Sequence, residues 1–305
     1  QALFLAFPLE TVTVAPGTYY ENIHFQGKDL TLKSIDPTDS EIVETTILDA
    51  NEIGTVVTFS GAENSSCVLS GFTITRGGFS GINGNGCGAV VENCKILLNF
   101  CPSKGGNRGG GGMFNCDGVI QNSIISGNWA TESGGGIEGC DGKIRNNIIS
   151  NNSCGYLGGG ISRCKGLITQ NVMTTNTGGY AAGIYCDGGR GAMIANCLIA
   201  GNYGGGIYGG SDDLIVTNCT ITANGGGIRW TYGRLTVTNC ILWGNADRGD
   251  KELFIKGRGK VTVSYCNVAG GAGAVYVDED ATLNWLDRKK SQPCFRAFYV
   301  IAHIS

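Results

Sequence analysis

The stretch Asn122-Ser123-Ile124-Ile125-Ser126-Gly127-Asn128, answered by Asn146-Asn147-Ile148-Ile149-Ser150-Asn151-Asn152, decides the fold of this chain. Both segments read Asn-x-x-Ile-x-x-Asn. Working outward, the motif recurs as Asn93…Asn99, Gln170…Asn176, Asn196…Asn202, Asn218…Asn224 and Asn239…Asn245, with first positions 29, 24, 24, 26, 22 and 21 residues apart. Gly71…Gly77 extends the series upstream and Tyr265-Cys266 extends it downstream. A second marker keeps phase with the first: an apolar residue preceded by glycines in most coils, at Met113, Ile137, Ile161, Ile184, Ile207 and Ile228, falling 9 to 12 residues before each first position. Two markers in phase over six coils identify a structural repeat.

The pieces between markers, such as Leu214-Ile215-Val216-Thr217 and Leu235-Thr236-Val237-Thr238, are too short for helices and rich in β-branched residues. Glycines in a helix interior would each cost about 1 kcal/mol relative to alanine. A coil of this length instead accommodates three short strands joined by corners. Each strand then pairs with its equivalent one coil away, at about 4.8 Å. The expected architecture is all-β: a single-stranded parallel β-helix, a solenoid of about ten to eleven coils. Inward Ile, Val and Leu rows make the core, and asparagine rows at the turns bond amide to amide. Residues 11–285 form the solenoid, 1–10 a remnant of an N-terminal cap, and 286–305, which lack the repeat, an irregular C-terminal cap or tail. An uncapped end would offer an oligomer contact.

Composition narrows the function. There are 52 glycines in 305 residues but only 5 prolines, with no three-residue period, which excludes collagen. A net charge of −3 gives no electrostatic reason for a nucleic-acid partner. No run reaches the roughly 18 apolar residues of a membrane span. The opening Ala2–Phe7 is too short for a signal peptide, so any export signal is expected upstream.

The repeat, with the opening coil Val12-Thr13-Val14-Ala15-Pro16-Gly17-Thr18-Tyr19-Tyr20-Glu21-Asn22-Ile23, resembles the pectate-lyase-like right-handed parallel β-helix superfamily. The alternation of Gly-Gly-Gly-Ile with Ile-x-x-Asn also resembles surface-exposed passenger proteins. The resemblance implies a right-handed solenoid outside the cell or on its surface, with an acidic polysaccharide as the expected partner. It leaves activity open, since hydrolases, lyases, epimerases and adhesins share the fold.

Fourteen cysteines mostly fall on the repeat. Cys94, Cys197, Cys219, Cys240 and Cys266 follow the first asparagine position, while Cys116, Cys140 and Cys164 share a second register with Cys186 nearby. Stacked core thiols are expected. One or two disulfides are the alternative, with Cys101 and Cys154 as off-register candidates. Zinc is disfavoured because there is no Cys-x-x-Cys and only two histidines, His24 and His303.

Three groups of residues could carry function. Asp117, Asp141, Lys165 and Asp187 form a charged row behind the second cysteine register. As a catalytic group it would pair carboxylates about 5 Å apart with a lysine. Asp117 and Asp141 would then be calcium ligands, as superfamily lyases use Ca²⁺ with a basic residue. As a structural group it is a turn, since Cys-Asp-Gly is good turn chemistry. Phe114, Glu138, Ser162, Tyr185, Tyr208 and Arg229 follow the apolar markers and should face outward, with Trp230 beside the last. With Trp129, Tyr156, Tyr180, Tyr203 and Trp243 in turns, these could stack on sugar rings or form an ordinary β-surface. The basic loop Lys104–Arg108 supports an acidic ligand. Weaker signals are Asp212-Asp213, which resembles the aspartate pair of polygalacturonase-type glycosidases but has Gly226 where the histidine would stand. Asp36-Pro37-Thr38-Asp39 is similar to an epimerase motif but lacks its histidine, and Arg248-Gly249-Asp250 is the cell-attachment tripeptide of some adhesins. Two functions remain: an enzyme of lyase or hydrolase type acting on an acidic polysaccharide, or a non-catalytic carbohydrate-binding or adhesin-like solenoid.

Overall fold

The structure, a computed structural model, describes residues 2–102, 109–186, 192–211, 213–245 and 251–286. The chain winds through three parallel sheets in turn. The first has twelve strands, from Thr11–Val14 to Thr282–Leu286, and the second eleven, from Gly17–Tyr19 to Asn267–Val268. The third has eleven, from Ile23–His24 to Val275–Val277, and a short fourth sheet (Phe100–Cys101, Trp129–Ala130, Ser153–Cys154) sits between second and third. Each strand pairs with its equivalent in the neighbouring coils. The solenoid runs through Leu286, one residue beyond the expected boundary.

The core follows from this register. Ile120, Ile144, Ile168, Ile194, Val216, Val237 and Val263 stack along the first sheet. Ile96, Ile125, Ile149, Met173, Ile199, Ile221 and Leu242 stack along the second. The apolar markers Met113, Ile137, Ile161, Ile184, Ile207 and Ile228 form the row on the third, and all three rows are buried. Fully burying one such side chain contributes roughly 1.5–3 kcal/mol, so the three inward rows carry most of the favourable free energy of each coil.

The two asparagine positions divide the work. At the first position, Asn93, Asn122, Asn146, Gln170, Asn196, Asn218, Asn239 and Tyr265 all adopt left-handed backbone with φ between 52° and 59°. They make the corner between first and second sheets, a conformation asparagine tolerates better than most residues. These side chains face outward, and Asn146 Nδ2 donates to Asn122 Oδ1 at 2.8 Å. At the second position Asn99, Asn128, Asn152, Asn176, Asn202, Asn224 and Asn245 are buried. In the first six, Nδ2 donates to Oδ1 of the next coil at 2.8–3.1 Å, as from Asn128 to Asn152 (2.9 Å) and from Asn202 to Asn224 (2.8 Å). The backbone N–H donates to the same oxygen, and Nδ2 also reaches a core-strand carbonyl such as Ile125 O (2.8 Å). The last amide, Asn245, has no asparagine ahead of it. Glu252, buried and acceptor-only when ionised, ends the ladder by taking Asn245 N–H at 3.1 Å and Nδ2 at 2.7 Å.

Cysteines stack as expected. Cys116 N–H donates to Cys140 Sγ and Cys140 N–H to Cys164 Sγ, each at 3.2 Å, and Cys240 N–H to Cys266 Sγ at 3.4 Å. The cysteines of the described residues are free thiols. Cys101 and Cys154 share a register but stand two coils apart with Ala130 between them, which rules out a bond between the two. Burial pushes the Cys94 thiol up to about 12 and those of Cys101 and Cys154 to about 11.

At the N-terminal end a helix, Ala2–Leu5, lies against the first coil through Leu3 and Ala6, and Lys28 Nζ donates to the Leu3, Phe4 and Ala6 carbonyls at 2.8–3.1 Å. Asp36-Pro37-Thr38-Asp39 starts a second helix, Ser40–Thr45. Asp39 caps it by accepting from Glu41 N–H at 2.8 Å, and Asp36 Oδ1 accepts from Thr38 N–H at 3.0 Å. The segment is capping chemistry. Among the described residues no helix is long and apolar enough to cross a membrane.

Candidate functional site

Alternation along the third sheet turns the residue after each apolar marker outward, so one row runs Asn83, Phe114, Glu138, Ser162, Tyr185, Tyr208, Arg229, Phe254, Tyr276. The members expected from sequence, Phe114 to Arg229, are in place. Phe254 and Tyr276 were missed because no glycine triplet announces Leu253 or Val275, although Leu253 falls 25 residues after Ile228, within the coil period. Trp230 is corrected. It follows Arg229 by one residue and therefore points inward, paired with Gly209 and Ile255 and only 1% exposed. A Cβ on Gly209 would lie 2.7 Å from its indole ring, so the glycine one coil earlier makes room for it. Trp230 is core and cannot stack on a ligand.

Exposure divides the row. Toward the C-terminal end Arg229 and Tyr276 are exposed and Tyr208 and Phe254 half-buried, so rings and cations reach the surface together. Tyr276 stacks on Phe254 with centroids 4.3 Å apart and 11° between planes. Arg229 lies over Phe254 at 5.1 Å and over Tyr208 at 5.5 Å, and Lys256 lies over Phe254 at 5.4 Å. The strip continues sideways from Tyr208 to Tyr180 (5.5 Å) and from Tyr180 to Tyr156 (4.9 Å, edge to face), both exposed turn residues picked out by sequence. Guanidinium and ammonium groups over ring faces hold each other by cation–π attraction, about 0.5–1 kcal/mol at exposed sites. Along the third sheet successive members follow the strand spacing and repeat once per coil, while Tyr180 and Tyr156 lie to one side of that line.

In the three preceding coils the row is closed. Tyr185 (7% exposed), Ser162 (0%) and Glu138 (2%) lie beneath residues 131–133 and 155–157, with Leu157 packed on Ala181 and Tyr185. Three residues expected at the surface, Glu138, Ser162 and Tyr185, are therefore buried, and of these Glu138 and Tyr185 are the two expected to touch substrate. Their periodicity is outward, but a segment leaving the short fourth sheet crosses over them. Arg163 Nη1 donates to Glu138 Oε1 at 2.9 Å and to Ser133 Oγ at 3.2 Å, while Glu138 Oε2 and Ser162 Oγ are buried without a hydrogen-bond partner. Burial raises the Glu138 carboxyl above the ordinary glutamate range, with Arg163 acting in the opposite sense. Beyond Glu138, Phe114 is half-buried. Trp129, also exposed, stacks on Phe100 at 4.5 Å, on the corner beside this cover.

The charged row is brought together as expected, but its geometry is that of a turn. Asp117 Oδ1 accepts the backbone N–H of Asp141 at 2.9 Å, and Asp141 Oδ1 accepts that of Lys165 at 3.1 Å. Lys165 Nζ stands 3.4 Å from Asp141 Oδ2 in an exposed pair. Asp187 lies outside the described residues, as do Lys104–Arg108, Asp212 and Arg248-Gly249-Asp250. Calcium takes six to eight oxygens. Asp117 and Asp141 by themselves supply four, of which two accept backbone N–H groups and a third faces the Lys165 ammonium. Among the described residues no group of three or more His, Cys, Asp or Glu side chains converges on one point.

Residues 137–252 match a family described as the right handed beta helix region. No curated protein matches the chain. Among solved structures, the Agl-KA catalytic domain superposes with a TM-score of 0.53 at 13% identity, over 91% of this chain and 62% of that one, so the chain spans about three fifths of that domain. The A-module of mannuronan C-5 epimerase AlgE4 from Azotobacter vinelandii superposes with a TM-score of 0.56 at 10% identity, over 92% and 91%. Identities this low speak to fold. Family match, superpositions and sheet topology agree: the chain is a right-handed parallel β-helix protein.

Proposed function

We propose that this protein binds an extended polysaccharide along the open strip Tyr156–Tyr180–Tyr208–Arg229–Phe254–Tyr276. The observation that carries the reading is the continuous run of rings and cations, each within 5.5 Å of the next. Ring faces of this kind pack against the C–H faces of sugars, and a once-per-coil spacing suits a polymer whose units repeat at a similar length. Arg229 and Lys256 favour an acidic polymer. The fold neighbour acting on mannuronan is consistent with this ligand class. Such a role belongs outside the cell or on its surface.

Affinity electrophoresis through gels containing alginate, polygalacturonate or neutral pullulan tests the proposal. Retardation by the acidic polymers is expected, and Tyr208→Ala or Arg229→Ala should weaken it by about fivefold or more, the cost of losing a contact worth over about 1 kcal/mol. Equal mobility in all gels would refute it.

The alternative is catalysis at the Asp117–Asp141–Lys165 row, favoured by the exposed ammonium beside a carboxylate. A lyase would release products with a new double bond, visible by ultraviolet absorbance, and Lys165→Ala would abolish them. The hydrogen bonds that occupy both aspartates favour binding without catalysis.

A further inference from the structure

The open strip does not continue along the rod. It stops at Tyr156, whose ring is both the last member of the strip and one wall of a cleft lined by Thr131, Glu132, Ser133, Gly155, Tyr156, Leu157 and Arg163. The cleft measures about 500 Å³, within the roughly 300–1,000 Å³ of small-ligand sites.

The far side of this cleft is a fixed wall. Tyr156 N–H and Leu157 N–H both donate to Glu132 O, at 2.9 and 3.0 Å, and Gly155 N–H donates to Ala130 O at 3.2 Å. Ser133 and Leu157 pair as an isolated parallel bridge. A Cβ on Gly155 would stand 2.3 Å from Thr131 O, so the two segments approach as closely as only glycine permits. Beneath the wall Tyr185, Ser162 and Glu138 are buried in three successive coils. A polymer lying on the strip therefore has no groove to follow past Tyr156.

From this dead end, and resting on the strip as a polysaccharide platform, we infer that the protein recognises the end of a polysaccharide chain: the terminal sugar enters the cleft while the following units lie on Tyr180, Tyr208 and Phe254. The cleft chemistry suits one sugar ring. Tyr156 supplies an apolar face and Thr131 and Glu132 polar edges, with Ser133 and Leu157 buried behind them. Arg163 remains 21% exposed at the floor, held in place by Glu138 and Ser133. A chain-end binder and an internal binder differ in how the number of sites grows with polymer length.

Calorimetric titration of the protein with a short alginate oligomer, and with alginate many times longer, decides the matter. One protein per chain at both lengths, with similar affinity per chain, is expected. A protein count rising with chain length would keep the strip and overturn chain-end recognition, whereas no binding at either length would remove the strip reading itself. Thr131→Trp, which fills the cleft, should lower affinity for the short oligomer by about tenfold or more, equivalent to about 1.4 kcal/mol. Unchanged affinity in a folded variant would refute the inference. Glu132→Trp, at an exposed lining position, is the parallel variant if Thr131→Trp melts early.

Discussion

Replacing Asn152 with leucine should destabilise the protein by about 3–5 kcal/mol, and the hydrogen bonds of one rung show why. Asn152 is fully buried at the middle of the ladder. Its Oδ1 accepts Asn128 N–H at 3.0 Å and Asn128 Nδ2 at 2.9 Å, and its own Nδ2 donates to Ile125 O at 2.8 Å and Asn176 Oδ1 at 3.1 Å. Leucine is similar in size but offers none of these bonds. Asn128 N–H is orphaned outright, Asn128 Nδ2 keeps only its bond to Ile96 O, and Ile125 O loses a donor. Unsatisfied buried groups cost about 1–3 kcal/mol each, against roughly 1.5–3 kcal/mol gained by burying the leucine side chain. Asn146→Leu is the matched control. Its side chain is exposed, and the substitution loses one solvated bond to Asn122 and places a branched residue in left-handed backbone, about 1–2 kcal/mol. Urea unfolding followed by far-ultraviolet circular dichroism should separate the two variants by about 1–4 kcal/mol, with Asn152→Leu the weaker. Equal losses, or the reverse order, would show that the buried amides are not what holds adjacent coils together.

Two further outcomes follow from buried ionisable groups. Because burial raises the Glu138 carboxyl in the folded state, its contribution to stability is complete below the ordinary glutamate value of 4.5 and is lost as pH rises through the folded value. Glu138→Gln should remove that decline, and an unfolding free energy that falls with pH as in the parent would contradict the assignment. The described cysteines are nearly all buried, and burial lifts Cys94, Cys101 and Cys154 well above a free thiol, so a thiol-reactive dye should label them only on unfolding. Rapid labelling of Cys94 in the native protein, located by peptide mass, would contradict this.

The repeat made the neighbours legible. Because one coil returns the chain to the same angular position one strand spacing higher, Asn122 and Asn146, Cys116 and Cys140, and Asp117 and Asp141 had to touch once the period was recognised. The outward direction of Tyr208 and Arg229 followed from the two-residue alternation of a strand. The same alternation, applied one residue further, would have turned Trp230 inward, and Gly209 one coil earlier was the sign of space for it. Different duties for the two asparagine positions were not legible, because the same residue type serves both the left-handed corner and the buried ladder.

Sequence by itself therefore determined the coil, its core rows and which residues stand above one another, since these depend only on period and alternation. Tertiary structure decided which of the outward residues meet solvent. Residues 131–133 and 155–157 cross over Glu138, Ser162 and Tyr185 and leave Arg229 and Tyr276 exposed and Tyr208 and Phe254 half-buried. That crossing is made by turn segments one coil apart that bond to each other across space, through bonds such as Leu157 N–H to Glu132 O. The period sets these turns side by side, but it does not say which outward side chains they fold over.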